Sequence, residues 1–313
     1  MKKILLLFEM PESQRQELKK IAPEYEWTTT LVPSDDTVEI VYGWSPEFGT
    51  MLKDGGFKGV CWIQFPYAGV NQLPLALLGK RQIMLTNGSG IHTSSMTEVL
   101  FGHLLSYTRS FKKYTLSQQA HQWAYNEWSF DFVDKTMLVI GAGKIGQEVA
   151  RVAKAFHMHV LGINRSGNKV ENFEMIYPMK DLQNILPGAD IVVNILPLTE
   201  ETTHLYDSAL FHQMKKGVLF VNMGRGQSVV TNDLVYALES GHVAFAGLDV
   251  FEQEPLPKDH PLWDMAQVSI TPHIGGVVEN YPKHIFAIFK ENLKAYQRSQ
   301  PLVRNCVDLK LGY

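Results

Sequence analysis

Three polar residues follow apolar, strand-like segments in the second half of the chain, and their types suit one reaction. Arg225 follows the segment VLFVN, Glu254 follows VAFAGLDV, and His273 follows QVSIT. A guanidinium group binds a carboxylate through two parallel hydrogen bonds and stays charged at physiological pH. A histidine is a natural general acid near neutral pH, and a neighbouring carboxylate orients it and favours its protonated form. These types would suit the reduction of a 2-oxo acid with hydride from a nicotinamide.

Each of these residues also has a structural explanation when it is taken alone. Arg225 would then tie down a loop, Glu254 would be a solvated turn residue, and any one of the 11 histidines is more often structural than catalytic. In an open parallel sheet, however, the carboxyl ends of the strands lie at one edge, where ligands bind. Since the three residues all follow such strands, their combination favours the catalytic interpretation.

A glycine motif begins the segment that would supply the first strand of this sheet. Gly141, Gly143 and Gly146, spaced G-x-G-x-x-G, follow the apolar run 137–140 and precede a helical pattern and a second apolar run, 160–163. The first glycine permits a tight turn, the second lets the backbone approach a pyrophosphate, and the third lets the helix pack closely on the strand. The motif predicts a dinucleotide site at the helix N-terminus, the alternative being an ordinary strand–helix–strand unit with a glycine-rich turn.

Strand-like and helix-like segments alternate along most of the chain. Near-continuous apolar strands alternating with helices predict an α/β fold with parallel sheets covered on both faces. Helices are predicted over 12–21, over 285–296, and from a capping box at Ser95 to about His121. Further strands are predicted in the segments KKILLLF, VEIVYG, GVCWIQF, QIMLTN and DIVVNI.

Length and composition limit the classes of protein to consider. With 313 residues, 45% of them hydrophobic, the chain has the size of about two domains with substantial cores. The net charge of −3 and the lack of a basic cluster argue against nucleic-acid binding. Two cysteines without metal-ligand spacing fit a reducing compartment and predict no metal site. The N-terminal apolar run ends at Glu9, so it predicts a strand rather than a signal peptide, and no segment is long enough to span a membrane. We therefore expect a cytoplasmic protein.

Five segments resemble those of a known family. They are GAGKIG, NILPLTEET, VNMGRGQSV, LDVFEQEPLP and TPHIGG. In this order and spacing they closely resemble the D-isomer-specific 2-hydroxyacid dehydrogenases, among them glyoxylate/hydroxypyruvate reductases, phosphoglycerate dehydrogenases, D-lactate dehydrogenases and formate dehydrogenases. The resemblance implies two doubly wound parallel-sheet domains, Rossmann-like or flavodoxin-like. Residues 95–281 would form the NAD(P)-binding domain, and 1–94 with 282–313 a discontinuous substrate domain, with the active site in the cleft.

The same resemblance implies roles for individual residues. Arg225 would anchor the substrate carboxylate together with the backbone of a loop at Ala68 and Gly69, and His273 would be the acid/base. Of two nearby carboxylates, the family pattern points to the one directly before proline, Glu254 and not Glu252, as the partner of the histidine. Asp249 would bind the nicotinamide carboxamide, and the loop at Leu196 and Pro197 would line the cofactor site on its adenosine side. The full set of implied cofactor-binding residues is Gly141, Gly143, Lys144, Ile145, Gly146, Asn164, Arg165, Ser166, Leu196, Pro197, Thr202, Met223, Asp249, His273 and Gly275.

One departure from the family pattern bears on the choice of cofactor. Where NAD-preferring members carry an aspartate at the end of the second strand, this chain has Asn164, Arg165 and Ser166. Without the carboxylate a 2′-phosphate is not repelled, and an arginine with a serine can bind it. The sequence therefore predicts NADP in preference to NAD, the alternative being that Arg165 merely points to solvent.

The partners and the substrate are less closely defined. Family members usually form homodimers through the nucleotide domain, and the aromatic side chains of Trp123, Tyr125 and Trp128 would cover a domain or subunit interface or line a partner's substrate pocket. We predict an NADPH-dependent reductase of small 2-oxo acids, of the glyoxylate or hydroxypyruvate kind. The alternatives are a D-lactate dehydrogenase, a phosphoglycerate dehydrogenase and a non-catalytic dinucleotide sensor. The chain end at Tyr313 argues against a phosphoglycerate dehydrogenase, because it leaves no room for a regulatory domain.

Overall fold

The computed structural model of the protein describes residues 2–70, 72–125 and 129–310. Within these residues the chain forms two sheets of parallel strands, one with five strands and one with seven. The strands are β1 (Lys2–Leu6), β2 (Tyr25–Thr28), β3 (Val38–Tyr42), β4 (Trp62–Gln64), β5 (Met84–Thr86), β6 (Thr136–Ile140), β7 (His159–Asn164), β8 (Met175–Pro178), β9 (Ile191–Asn194), β10 (Val218–Asn222), β11 (Val243–Leu248) and β12 (Val268–Ile270). The predicted α/β class with parallel sheets is confirmed.

The helices alternate with these strands. They are α1 (Glu12–Ile21), α2 (Pro46–Lys53), α3 (Leu75–Lys80), α4 (Thr93–Thr108), α5 (Phe111–Gln119), α6 (Lys144–Ala155), α7 (Leu182–Ile185), α8 (Ser208–Gln213), α9 (Thr231–Glu239) and α10 (Tyr281–Gln297). None of the helices described is long and apolar enough to cross a membrane.

The contacts within the chain divide it into two units. One unit comprises Met1–Ile91 and Val278–Tyr313, and the other comprises His92–Val277. The divisions fall a few residues before the expected boundaries at 94/95 and 281/282. The roles expected for the two parts, substrate binding and cofactor binding, stay a prediction.

The first unit is built on the five-stranded sheet, with the strand order β2-β1-β3-β4-β5. Helix α10, from the far end of the chain, packs Ile288 and Phe289 against Ile4 and Trp62 on one face. On the other face, residues of α2 and α3 join the apolar side chains of β1, β3, β4 and β5. The sheet is thus covered on both faces, which explains why its three inner strands are mostly apolar.

The second unit is built on the seven-stranded sheet, with the strand order β12-β11-β10-β9-β6-β7-β8. Helices α4 and α6 cover one face, and α8 and α9 cover the other. The strand order changes direction between β6 and β9, because the chain proceeds outward from β6 to β8 and then returns to the opposite side of β6. Ligands of such sheets bind at this switch point, beyond the carboxyl ends of the strands.

Local sequence signals misplaced the elements around residue 95. The predicted capping box is wrong, because α4 begins at Thr93 after His92, and the Ser95 hydroxyl donates to the carbonyl of Gly275 instead. The predicted helix to about His121 is also wrong, because Ser110 has a left-handed φ of 57° and separates α4 from α5. Two strands went unpredicted, β2 and β8, which are short, only partly buried strands at the edges of the two sheets.

Candidate active site

His273 and Glu254 form a hydrogen-bonded pair beyond the carboxyl ends of β11 and β12. Nδ1 of His273 lies 2.8 Å from Oε2 of Glu254, and Oε1 of Glu254 accepts from the amide of Phe251 at 3.0 Å. Partial burial alone would raise the pKa of the Glu254 carboxyl, but the bonds from His273 and Phe251 and the positive charge of Arg225 hold this pKa below its ordinary value. A charged, doubly held carboxylate therefore orients the imidazole through Nδ1.

The neighbouring carboxylate of Glu252 has different partners. Its Oε1 lies 3.1 Å from Nε2 of His204, and its Oε2 accepts from the amide of Thr231 at the start of α9, 2.6 Å away. Glu254, not Glu252, therefore lies beside His273.

The turn that carries His273 is bound to Asp249, at the end of β11. The backbone carbonyl of Asp249 accepts from the amide of His273 at 2.9 Å. The whole residue is buried, at 2% exposure. Oδ1 of its side chain accepts from the amide of Ile274 and from the hydroxyl of Thr271, and Oδ2 accepts from the amide of Gly275. Asp249 thus fixes the conformation of the turn, whatever further contact it makes with a ligand.

Arg225 is an exposed residue in the loop after β10. Its Nη1 donates to the carbonyl of Gly224 at 2.8 Å. The loop of Arg225 packs against the loop that carries Glu254, since a Cβ on Gly226 would lie 1.8 Å from the carbonyl oxygen of Phe251. Arg225, Glu254 and His273 thus all lie in loops beyond the carboxyl ends of the neighbouring strands β10, β11 and β12.

A buried network of polar side chains lies under Arg225. Nδ2 of Asn194, at the end of β9, donates to Oδ1 of Asn222 and to Oγ of Ser228, each at 2.9 Å. Asn222 and Ser228 in turn donate to the carbonyl of Arg225. Oδ1 of Asn194 accepts from the amide of Leu196, so the network joins the Arg225 loop to the loop after β9. Because all three polar side chains are buried, they hold both loops in place.

The glycine motif has the predicted turn and packing. Gly141 has a φ of 111°, which few residues other than glycine adopt, and a Cβ on Gly146 would lie 2.4 Å from the carbonyl oxygen of Gly141. Gly143 precedes α6 and is exposed, and a Cβ there would meet no atom within 4 Å. The start of α6, with Lys144 and the half-buried Ile145, is therefore open to a phosphate group, so the residues fit a dinucleotide.

The loop after β7 is folded by the side chain of Asn164. Its Nδ2 donates to the carbonyl of Asn168 at 2.9 Å, and its Oδ1 accepts from the amides of Ser166 and Gly167. Arg165 and Ser166 are exposed at the tip of this loop. The asparagine therefore has a structural role here, while the arginine and the serine hydroxyl are left facing outward.

The remaining expected cofactor residues lie near the ends of the central strands. The hydroxyl of Thr202 donates to the carbonyl of Pro197 at 2.7 Å and fixes the loop after β9. Gly275 is close-packed, since a Cβ there would lie 2.7 Å from both Met223 Cε and Asp249 Oδ2.

The expected substrate loop at Ala68 and Gly69 belongs to the first unit. Nδ2 of Asn87 donates to the carbonyl of Ala68 at 2.8 Å, and the amide of Gly88 donates to the carbonyl of Tyr67 at 3.0 Å. Residues at the end of β5 thus determine the conformation of this loop.

Of the aromatic residues expected at an interface, two can be placed. Trp123 and Tyr125 are strongly exposed, at 102% and 81%, and Trp128 lies outside the described residues.

Sequence reasoning missed the polar residues that support the site. These are Asn194, Asn222 and Ser228 under Arg225, Thr271 beside Asp249, and Asn87 under the Ala68 loop. One signal was available, because an asparagine ends each of the otherwise apolar segments IVVN and VLFVN. A polar side chain at the carboxyl end of a buried strand needs partners, and these lie at the switch point.

Comparison with known proteins identifies the family. Residues 101–275 match the family model described as "D-isomer specific 2-hydroxyacid dehydrogenase, NAD binding domain". The chain belongs to this family. It is therefore an oxidoreductase with a nicotinamide dinucleotide-binding domain, as the resemblance of the five segments implied.

Relatives of the dehydrogenase span nearly its whole length. It is 30% identical to glyoxylate/hydroxypyruvate reductase A of Serratia proteamaculans over 293 residues, which cover 90% of each chain. The NADPH-dependent glyoxylate/hydroxypyruvate reductase of Sinorhizobium meliloti, solved with NADP and sulfate, is 27% identical with a TM-score of 0.76 and 99% coverage of both chains. A phosphoglycerate dehydrogenase from Lactobacillus plantarum is 34% identical with a TM-score of 0.59, covering 98% of this chain and 100% of its own.

Proposed function

We propose that the dehydrogenase is an NADPH-dependent reductase of small 2-oxo acids, of the glyoxylate or hydroxypyruvate kind, which forms the D-2-hydroxy acid. The observation that carries this proposal is the hydrogen bond between His273 and Glu254, at the carboxyl ends of the strands where the Arg225 loop also lies. The proposed proton donor and the proposed carboxylate anchor thus both lie beyond the carboxyl ends of the neighbouring strands β10, β11 and β12. The names of the relatives from Serratia and Sinorhizobium support the same substrate class.

Each of the three residues has a defined task in this proposal. Arg225 binds the substrate carboxylate through its planar pair of N–H donors. Glu254 holds Nδ1 of His273, which directs Nε2 and its proton toward the carbonyl oxygen as that oxygen becomes an alkoxide. A bound nicotinamide would supply the hydride.

The loop after β7 supports the preference for NADP. The exposed Arg165 and Ser166 offer a guanidinium group and a hydroxyl, and Asn164 stands where a carboxylate would repel a 2′-phosphate. The relative from Sinorhizobium meliloti was solved with NADP. NADP is therefore the proposed cofactor, with NAD as a weaker one.

The remaining expectations form part of the proposal. Residues 92–277 would be the cofactor-binding domain, carrying the fifteen residues named for that role, and the other unit would supply the backbone of Ala68 and Gly69 to the substrate carboxylate. A homodimer formed through the nucleotide domain would cover the exposed Trp123 and Tyr125. The cytoplasmic location stays a prediction from the sequence.

Turnover on a panel of substrates tests the proposal. NADPH oxidation is followed with glyoxylate, hydroxypyruvate, pyruvate and 3-phosphohydroxypyruvate, and the first two should give the highest kcat/KM. A preference for the phosphorylated substrate would favour a phosphoglycerate dehydrogenase, and one for pyruvate a D-lactate dehydrogenase. Tight NADPH binding without turnover of any 2-oxo acid would identify a sensor instead.

Replacement of the proposed acid tests the mechanism. His273→Ala should lower kcat by about 10²–10⁴-fold, the range typical of lost acid–base catalysis. His159→Ala is the matched control, because His159 also pairs with a carboxylate, that of Glu174. His159 lies at the amino end of β7, whereas His273 lies beyond the carboxyl ends of the strands. Full activity in His273→Ala would rule out the mechanism.

A further inference from the structure

A chain of hydrogen bonds runs from α4 to the turn that carries His273. His103, in α4, is 3% exposed, and its Nδ1 and Nε2 lie 2.7 Å from Oγ of Ser269 and 3.1 Å from Oγ1 of Thr271. Oγ1 of Thr271 lies 2.6 Å from Oδ1 of Asp249, the carboxylate that binds the amides of the turn. The buried imidazole is thus two hydrogen bonds away from that carboxylate.

The chemistry of these groups assigns the donors and acceptors. An ionised carboxylate only accepts, so the Thr271 hydroxyl donates its one proton to Asp249. The Thr271 oxygen then accepts from Nε2–H of His103. Burial lowers the pKa of His103, although the charge of Asp249 opposes this, so the ring is neutral and its Nδ1 accepts from Ser269. All donors therefore point toward Asp249, and aligned bonds of this kind strengthen one another.

The surrounding backbone is shaped for this imidazole. Gly247 of β11 lies against it, and a Cβ there would be only 2.8 Å from Cβ of His103. The N-terminal end of α4 binds the other side of the turn, through Ser95 Oγ to the carbonyl of Gly275 and His92 Nδ1 to the carbonyl of Gly276. Helix α4 thus holds the turn at both ends.

The turn needs such support because of the backbone conformation of His273. Its φ is 55°, in the left-handed region that is unfavourable for a residue with a Cβ. A residue persists in this conformation only where its surroundings impose it. The surroundings here are Asp249 and the groups that orient it.

We propose that His103 is a positioning residue for the reduction of the 2-oxo acid, acting through Thr271 and Asp249 to fix the turn that presents His273. This inference rests on the proposed function. It gives a role to a histidine that lies outside the glycine motif and outside all five family-like segments.

The kinetic test compares two replacements of His103. His103→Leu removes both ring nitrogens at similar volume, whereas His103→Gln keeps a side-chain N–H for Thr271. The first should lower kcat by about 10- to 100-fold, as a small misplacement of a catalytic group does. KM for the 2-oxo acid should stay nearly constant, because Arg225 is held by the separate network of Asn194, Asn222 and Ser228. The glutamine variant should recover most of kcat.

Two further variants separate positioning from a loss of stability. Leu104→Val changes the adjacent, fully buried residue of α4 and should lower Tm without changing kcat. Thr271→Val should lower kcat as His103→Leu does. The double variant His103→Leu/Thr271→Val should have a kcat no lower than that of the slower single variant, because both substitutions break the same chain of hydrogen bonds. Additive losses in kcat would overturn the proposal.

The outcomes distinguish this inference from the proposed function. Absence of turnover by the wild-type chain overturns the proposed function, and this inference with it. If the wild type turns over the substrate and kcat of His103→Leu lies within about twofold of the wild-type kcat, only the positioning role is overturned. Amide hydrogen exchange gives an independent readout, since Ile274 and Gly275 should exchange faster in His103→Leu than in Leu104→Val, and equal exchange would also overturn it.

Discussion

The imidazole of His273 is bound through Nδ1 to Oε2 of Glu254, at 2.8 Å, although a second carboxylate stands only two residues earlier in the same loop. That second carboxylate, Glu252, is directed to His204 and to the first amide of α9. The two residues are chemically identical and close in sequence. They therefore form a natural pair for testing what the carboxylate beside the histidine does.

We expect Glu254→Gln to lower kcat and Glu252→Gln to lower Tm. Glu254→Gln removes the charge that orients His273, although its amide oxygen can still accept from Phe251, so kcat should fall about tenfold or more while Tm changes little. Glu252→Gln removes a charge from the N-terminus of α9 and should lower Tm with kcat unchanged. Steady-state kinetics and thermal unfolding of both variants decide, and a loss of kcat in Glu252→Gln alone would reverse the assignment.

Replacement of Arg225 should affect substrate binding. Arg225→Gln removes the charge-assisted bonds to the substrate carboxylate, which contribute about 1.5–3 kcal/mol, so kcat/KM for the 2-oxo acid should fall about 10- to 100-fold. The dissociation constant of NADPH, measured by fluorescence titration, should stay constant. Arg151→Gln is the matched control, because Arg151 binds Glu148 within α6 and is also exposed. An unchanged KM in Arg225→Gln would remove the anchor from the proposal.

Much of the fold follows from local patterns in the sequence. The strand β10 has the bounds of the predicted segment VLFVN, because a strand buried on both faces consists mainly of apolar residues, here all but Asn222. The glycine turn was also predictable, since a backbone with φ of 111° at Gly141 restricts the residue type. The edge strands β2 and β8 lack such constraints, because they are open on one side.

The supporting residues were not predictable, since their partners are distant in sequence. His103 is the one polar residue of the stretch 99–105, VLFGHLL, and its partner Thr271 lies 168 residues further along the chain. Ser95 illustrates the same limit, because its local spacing is typical of a helix cap, whereas in the fold its hydroxyl binds Gly275. Tertiary contacts overrode the local preference at both positions.

The network under Arg225 should be separable from general stability. Asn222→Ala leaves the amide of Gly224 without its acceptor and removes one of the two acceptors of Asn194 Nδ2, so it should destabilise the fold by about 1–3 kcal/mol. It should also raise KM for the 2-oxo acid several-fold, because the carbonyl of Arg225 loses one of its two side-chain donors. Urea unfolding and steady-state kinetics measure the two effects.

Asn292→Ala supplies the control for that prediction. Asn292, in α10, is equally buried, binds the amides of Val303 and Arg304, and donates to the carbonyl of Arg304. Its replacement should destabilise the fold to a similar extent without changing KM. Equal changes of KM in the two variants would show that the network acts only through stability.

Cofactor preference should depend on the loop after β7. Arg165→Ala removes the proposed partner of the 2′-phosphate, so kcat/KM for NADPH should fall about tenfold or more, while kcat/KM for NADH serves as the internal control and stays constant. Both cofactors are assayed with the same 2-oxo acid. A wild-type enzyme that prefers NADH, or equal losses with both cofactors, would contradict the NADP assignment.

A cluster around Glu39 joins four elements of the first unit. Its carboxylate accepts from Lys2 of β1, from the hydroxyl of Tyr25 in β2 and from the hydroxyl of Tyr296 in α10. Burial alone would raise the pKa of Glu39, but these three donors hold the pKa below its ordinary value. Burial, and then the bond to Glu39, raises the pKa of both tyrosines.

Stability should therefore depend on pH through Glu39. Because its pKa is lowered by folding, its contribution is complete above the ordinary glutamate value of about 4.3 and is lost as the pH falls further. Glu39→Gln should cost about 1–2 kcal/mol at pH 7, and the difference from the wild type should shrink below about pH 4. Glu17→Gln, which breaks the pair with Lys290, more exposed than Glu39, should cost little at any pH. Urea unfolding at a series of pH values measures both, and a difference that does not change with pH would show that the Glu39 carboxylate is not held in its charged form.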